Sequence, residues 1–124
     1  MIKIVSFGNG KTGQVLMRLK CNEPLYADEY LNVYLEGHDY DSVYHNSDGS
    51  VSWIGNLQFI YNSNRTLGWV GNTQFIYNSN GSVGWIGNTQ FIYNSNGSVG
   101  WIGDTQIIYN SNGTIAWVGN KQIF

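Results

Sequence analysis

Charge is what this chain has least of. Charged residues make up 11% of its 124 positions, the net charge is −2, and between positions 53 and 124 only Arg65, Asp104 and Lys121 are charged. Affinity for phosphate backbones comes from clustered Lys and Arg, so this balance excludes a nucleic-acid partner. Cysteine is confined to Cys21, which rules out an intramolecular disulfide and a cysteine metal cluster and leaves a structural thiol. Proline is confined to Pro24. No apolar run approaches the length that spans a membrane, and the first residues, Met1-Ile2-Lys3-Ile4-Val5, carry no cleavage-site pattern. The expectation is a cytoplasmic protein with no membrane partner. Abundant aromatics, 15% of the chain, with so little charge argue against disorder.

What is present is a repeat. Residues 53–124 run in sixteen-residue units of the form Trp-(Ile/Val)-Gly-Asn-x-Gln-Phe-Ile-Tyr-Asn-Ser-Asn-Gly-Ser-Val-Gly, in four full copies and a half. Trp53, Trp69, Trp85, Trp101 and Trp117 mark the period. Each unit holds two short β-prone runs separated by two turn signals. Asn96-Gly97 suits a type I′ turn and Gly87-Asn88 a type II′ turn. Two tight turns per unit make each strand antiparallel to the next, which is a β-meander.

If both loops have two residues, Ile86 faces Thr89, Trp85 faces Gln90, and Gly84 faces Phe91 and Tyr77. Glycine would then make room for aromatic rings on both sides. Trp, Val, Gln, Asn and the Ile after Phe share one face; Phe, Tyr, Thr, Ser, Gly and the Ile after Trp share the other. A three-residue Ser-Asn-Gly loop with a glycine bulge is the rival, and a one-residue slip moves side chains to the opposite face. About fourteen strands exceed the ~10 an open sheet usually tolerates. The expected fold is therefore all-β: an extended single-layer meander that buries a face in a homodimer, with a β-solenoid or sandwich as alternatives.

Before the repeats, residues 1–7 and 14–20 alternate and read as a hairpin, 21–29 as an irregular connection broken by Pro24, 30–36 as a strand and 37–39 as a turn. Residues 41–53 form a degenerate repeat with one extra residue near His45, as a β-bulge would show. The whole, 1–124, reads as a single β domain, with 1–52 its irregular part and 53–124 its regular part. Gly10-Lys11-Thr12 matches the end of a phosphate-binding loop, but Val5 stands where the motif needs glycine and the next residues read as a strand.

The run Gln90-Phe-Ile-Tyr-Asn-Ser-Asn-Gly-Ser-Val-Gly-Trp101 resembles the choline-binding and cell-wall-binding hairpin repeats, in which an aromatic triplet, Asn-x-Asn/Asp-Gly and a following Gly-Trp mark each hairpin. The resemblance covers residues 53–124 and implies hairpins. The family's units are longer, and its first aromatic of the triplet is glutamine here (Gln74, Gln90).

Catalytic groups are scarce. His38, His45, Asp39 and Asp41 form one polar cluster, read as a charged loop, and no nucleophile–base arrangement stands out. No enzyme, cofactor or metal is expected. The candidate binding residues are the aromatics: Trp53, Trp69, Trp85, Trp101 and Trp117; Tyr61, Tyr77, Tyr93 and Tyr109; Phe59, Phe75 and Phe91. With Asn and Gln beside them they suit a dimer or protein interface, or a glycan or small ligand. Asn64, Asn80, Asn96 and Asn112 begin Asn-x-Ser/Thr triplets at turns that favour Asn in any case.

Overall fold

The computed structural model describes residues 1–8 and 10–123. Asn9, in the expected loop after the first strand, and Phe124, at the end of the last half unit, lie outside the described residues. Fifteen strands and no helix are described. The first four are β1 (Ile2–Ser6), β2 (Val15–Arg18), β3 (Leu25–Asp28) and β4 (Asn32–Leu35). Next come β5 (Val43–His45), β6 (Val51–Ile54), β7 (Leu57–Tyr61), β8 (Leu67–Val70), β9 (Thr73–Tyr77) and β10 (Val83–Ile86). The last are β11 (Thr89–Tyr93), β12 (Val99–Ile102), β13 (Thr105–Tyr109), β14 (Ile115–Val118) and β15 (Lys121–Gln122). Strands β5 to β15 form one antiparallel meander of eleven strands in sequence order, and β1 to β4 a separate sheet in the order β1-β4-β3-β2.

The meander and its turns at Gly-Asn are as expected. Ile86 pairs with Thr89 and Trp85 with Gln90. Gly87 has φ 59 and Asn88 is not among the positive-φ residues, which fits the type II′ pattern. The Ser-Asn-Gly loops differ from expectation. Asn78 N–H donates to the Ser82 carbonyl at 2.8 Å and Gly81 N–H to the Asn78 carbonyl at 3.0 Å, enclosing three residues. Only the third of them, Gly81 at φ 91, is left-handed, so the turn is not type I′ but a three-residue loop ending in a left-handed glycine. The side chains explain the Asn-x-Ser/Thr triplets. Asn80 Oδ1 accepts from Ser82 N–H at 3.1 Å and from its hydroxyl at 2.7 Å.

A three-residue loop alone would turn every tryptophan to the other face. A bulge cancels the slip. Val83 pairs with Tyr77 and Trp85 with Ile76, which leaves Gly84 as the extra residue. Valine therefore moves to the face of Phe and Tyr, while Trp stays opposite. The expected pairing of Gly84 with aromatic rings is not found. A Cβ there would meet the Asn78 side-chain oxygen at 2.6 Å. The extra residue expected near His45 is likewise absent: His45 pairs with Val51 as Tyr77 does with Val83, and the bulge falls on Ser52 across the strand.

The first 35 residues depart furthest from the sequence reading. β1 pairs with β4 and β2 with β3, so 1–7 and 14–20 are not a hairpin but opposite edges of the sheet. Residues 21–29 are not irregular throughout, because Leu25–Asp28 is a buried strand. Pro24 stands just before it, outside the ladder, and only its carbonyl is used, by Glu36 N–H at 3.0 Å. Asp28 organises the tip. Fully buried, it accepts from the backbone of Gly13 (3.1 Å), Tyr30 (2.9 Å) and Asn32 (2.8 Å) and from the Asn32 amide (2.7 Å). The bond from Gly13 ties the segment just before β2 to the β3–β4 tip.

The meander is not a single layer. Leu19, Leu25, Val33 and Leu35 share one buried cluster with Ile54, Phe59, Phe75, Ile86 and Phe91. Phe7 meets Phe75 and Tyr77 with ring centroids 6.1 and 5.6 Å apart. The short sheet thus covers the inner face of the long one.

Candidate functional site

Covering one face leaves the other bare. Along each Thr-Gln-Phe-Ile-Tyr strand the inner positions are buried while Gln and Ile are exposed, and in each Val-Gly-Trp-Ile strand only Trp is exposed. The reason is the period of two: Phe91 and Tyr93 point in, Gln90 and Ile92 out.

The exposed apolar residues are not scattered. Tyr44 pairs directly with Trp53, Ile60 with Trp69, Ile76 with Trp85, Ile92 with Trp101 and Ile108 with Trp117. On its other side each Trp pairs with Gln, as Trp69 does with Gln74, so the next Ile, two residues on, is its diagonal neighbour. Diagonal neighbours on a sheet lie within reach of aromatic side chains. The outcome is an unbroken stripe, Tyr44–Trp53–Ile60–Trp69–Ile76–Trp85–Ile92–Trp101–Ile108–Trp117, with one residue on each strand from β5 to β14. All ten are large and exposed, the tryptophans at 37–39% and the isoleucines at 42–46%. Nine strand spacings make it about 43 Å wide across the sheet. Beside it runs a row of glutamines, Gln58, Gln74, Gln90, Gln106 and Gln122, each directly across from a Trp. The row and the stripe carry no charge.

The candidate aromatics therefore divide. The five tryptophans come together on the open face. Phe59, Phe75 and Phe91 are buried in the shared core. Tyr61, Tyr77, Tyr93 and Tyr109 are half-buried, and their hydroxyls donate to the carbonyls of Val51, Leu67, Val83 and Val99 at 2.8–2.9 Å. Burial raises the phenol pKa of Tyr77 and Tyr93 to about 12. Sequence reasoning left Tyr44, Ile60, Ile76, Ile92 and Ile108 out of the candidate set. Their signal was the strand period counted from the Gly-Asn turns, which already set the Ile after Phe beside Trp.

The polar cluster does not converge. His38 Nδ1 lies 2.7 Å from Asp41 Oδ2, and Asp39 turns to the amino terminus at 3.3 Å. Among the described residues, no three His, Cys, Asp or Glu side chains gather as a metal site would need. Gly10-Lys11-Thr12 leads into strand β2 and not into a helix, and the Lys11 carbonyl accepts from the Asn32 amide at 2.8 Å. Among the described residues no helix is long and apolar enough to cross a membrane. The chain matches no protein-family model, and searches of curated proteins and of solved structures find no match.

Proposed function

We propose that this chain is a non-enzymatic binding protein whose working surface is the uncovered face of the long sheet, an interaction platform built by repetition. The observation that carries this reading is the ten-residue stripe left bare while the chain covers the opposite face with its own first sheet. The largest apolar patch on a typical monomer is about 300–600 Å², and larger ones mark interfaces. At 37–39% of roughly 250 Å² apiece, the five tryptophans alone expose on the order of 500 Å². The stripe has no carboxylate, imidazole or amine for proton transfer and no cation for a phosphate backbone.

The test is tryptophan emission. Covering the stripe moves indoles from water to an apolar setting, so emission should shift to the blue with rising protein concentration or on adding a partner. Emission that stays unchanged on concentration and across panels of glycans and choline-type cations, with unchanged light scattering, would refute the platform.

The glutamine row favours a second reading, a glycan-binding face. Each Trp offers a flat apolar ring, and the amide directly across the strand pair offers a donor and an acceptor to a sugar hydroxyl. Retention on insoluble polysaccharide that is lost in Trp69→Ala, Trp85→Ala and Trp101→Ala together would support it; passage of the native chain without retention would remove it.

A further inference from the structure

Resting on the platform reading, we infer that the occupant of the stripe is a second copy of this chain, packed face to face with the two sets of strands crossed at a steep angle.

Area comes first. With the isoleucines and Tyr44 added to the tryptophans, the stripe exposes on the order of 900 Å² per copy. One side of a standard stable interface buries about 800 Å². Charge comes second. A face with no charged side chain meets its own copy without like-charge repulsion, and its glutamines are both donors and acceptors, so they can pair with themselves.

The course of the stripe then sets the geometry. Trp85 lies level with Gln90, and Trp101 with Ile92, two residues further along the same strand. The stripe therefore advances two residues for every two strands, about 6.7 Å along the strands for about 9.6 Å across them. That is roughly 35° from the perpendicular to the strands. A two-fold axis that lays one stripe on the other turns this slant into its mirror image. The strand directions then cross at about 70°, closer to the orthogonal class of sheet packing than to the aligned one. Twisted sheets crossed in this way touch along one diagonal, and a diagonal is where the large side chains stand.

The experiment is sedimentation of the full chain beside two variants at the centre of the stripe, Ile76→Lys and Trp85→Lys. Circular dichroism confirms that each keeps its sheet. The native chain should be dimeric at micromolar concentration, and each lysine should weaken the dimer by about a hundredfold or more, because two copies bring like charges together. If either lysine variant fails to fold, Gln90→Lys beside the stripe replaces it. Oxidation of Ile76→Cys in a Cys21→Ser background should also cross-link two copies at the stripe centre. A native chain that stays monomeric at high micromolar concentration overturns the inference. So does a dimer that persists in the lysine variants, since another surface would then hold it. A monomer whose tryptophan emission responds to a glycan overturns the second copy while leaving the platform reading intact.

Discussion

The phenol of Tyr93 donates a 2.8 Å hydrogen bond to the carbonyl of Val83, a residue that the strand ladder does not pair with it. The pairing between β10 and β11 joins Ile86 to Thr89 and Trp85 to Gln90. Gly84, the bulge residue opposite β9, follows Val83 in the chain, and the tyrosine hydroxyl reaches the Val83 carbonyl from β11. Tyr61, Tyr77 and Tyr109 do the same in their own units. Tyr93→Phe should therefore cost about 1 kcal/mol, the effect of leaving a half-buried carbonyl without its partner. Urea unfolding checks this, with a lower midpoint and an unchanged slope expected.

Alkaline stability follows from the same residues. Burial raises the pKa of Tyr77 and Tyr93 to about 12, against 10.0 for the free phenol, and raises those of Tyr61 and Tyr109 in the same direction. The unfolded chain thus loses these protons at lower pH than the folded one does. The contribution to stability is complete below pH 10 and is lost as pH rises from 10 towards about 12. Phenolate absorbance should show a late group of tyrosines that ionise together with the loss of β-sheet signal. Full ionisation of all tyrosines near the free value, with the sheet intact, would contradict this.

Arg65 holds the left-handed place of its loop, at φ 73, where the other units have Gly81, Gly97 and Gly113 at φ 89–91. Asp48 in the neighbouring loop is held below its ordinary pKa, first by hydrogen bonds from Ser50 and, further down, by the charge of Arg65. No close ion pair joins them among those described. The left-handed conformation costs a side-chain-bearing residue about 1–2 kcal/mol, offset by about 0.4–1 kcal/mol for the greater freedom of unfolded glycine. Arg65→Gly should stabilise the protein by up to about 1 kcal/mol, and Gly97→Arg should destabilise it by a similar amount. A Cβ on Gly97 meets nothing within 4 Å, so the second effect is backbone strain alone.

Gly87 and Gly103 form a matched pair. Both open a two-residue turn, Gly87-Asn88 and Gly103-Asp104, at φ 59 and 58. A Cβ on Gly103 meets only Thr89 Cγ2, at 3.6 Å, whereas one on Gly87 meets Cys21 Cβ at 2.6 Å and the Lys20 carbonyl at 3.1 Å. Gly103→Ala should cost about 1 kcal/mol from conformation. Gly87→Ala should exceed it by a further ~1–3 kcal/mol, as the overlying segment is pushed off. Equal midpoints in urea would show that the segment gives way freely.

The regular part of this fold was legible because its turns are written in glycine. Gly87-Asn88 fixed the Trp85–Gln90 pairing, and with it the side on which tryptophan stands. The Ser-Asn-Gly loop misled because a slip there and a bulge at Gly84 cancel each other. A reading that required one consistent register could not hold both, and valine went to the wrong face. Residues 1–7 and 14–20 were read as a hairpin because alternation reports a strand and not its partner. What decides the partners is Asp28, a single carboxylate whose four hydrogen bonds come from residues up to fifteen positions away. The stripe itself was half legible: its tryptophans stood out as the beat of the repeat, while its isoleucines were set on the tryptophan face but left out of the candidate set, which took aromatics alone.

Lys20 and Asn22 touch three successive turns of the long sheet. The Asn22 amide reaches the Asn72 carbonyl, the Lys20 carbonyl accepts from Asn88 N–H, and the Lys20 ammonium lies 3.0 Å from Asp104. Those turns are one sixteen-residue unit apart, so the segment works as a ruler laid against the array. It fixes the count of units beneath it and leaves the count beyond Asp104 open. The strands past that mark still meet the short sheet, through Ile107 and Ile115 in the shared buried cluster. A unit gained or lost near the C-terminal end would lengthen or shorten the stripe by one Ile–Trp step while leaving the contacts at Asn72, Asn88 and Asp104 in place. The same change between Asn72 and Asp104 would put the ruler out of register. The architecture thus separates a fixed anchoring length from an adjustable working length.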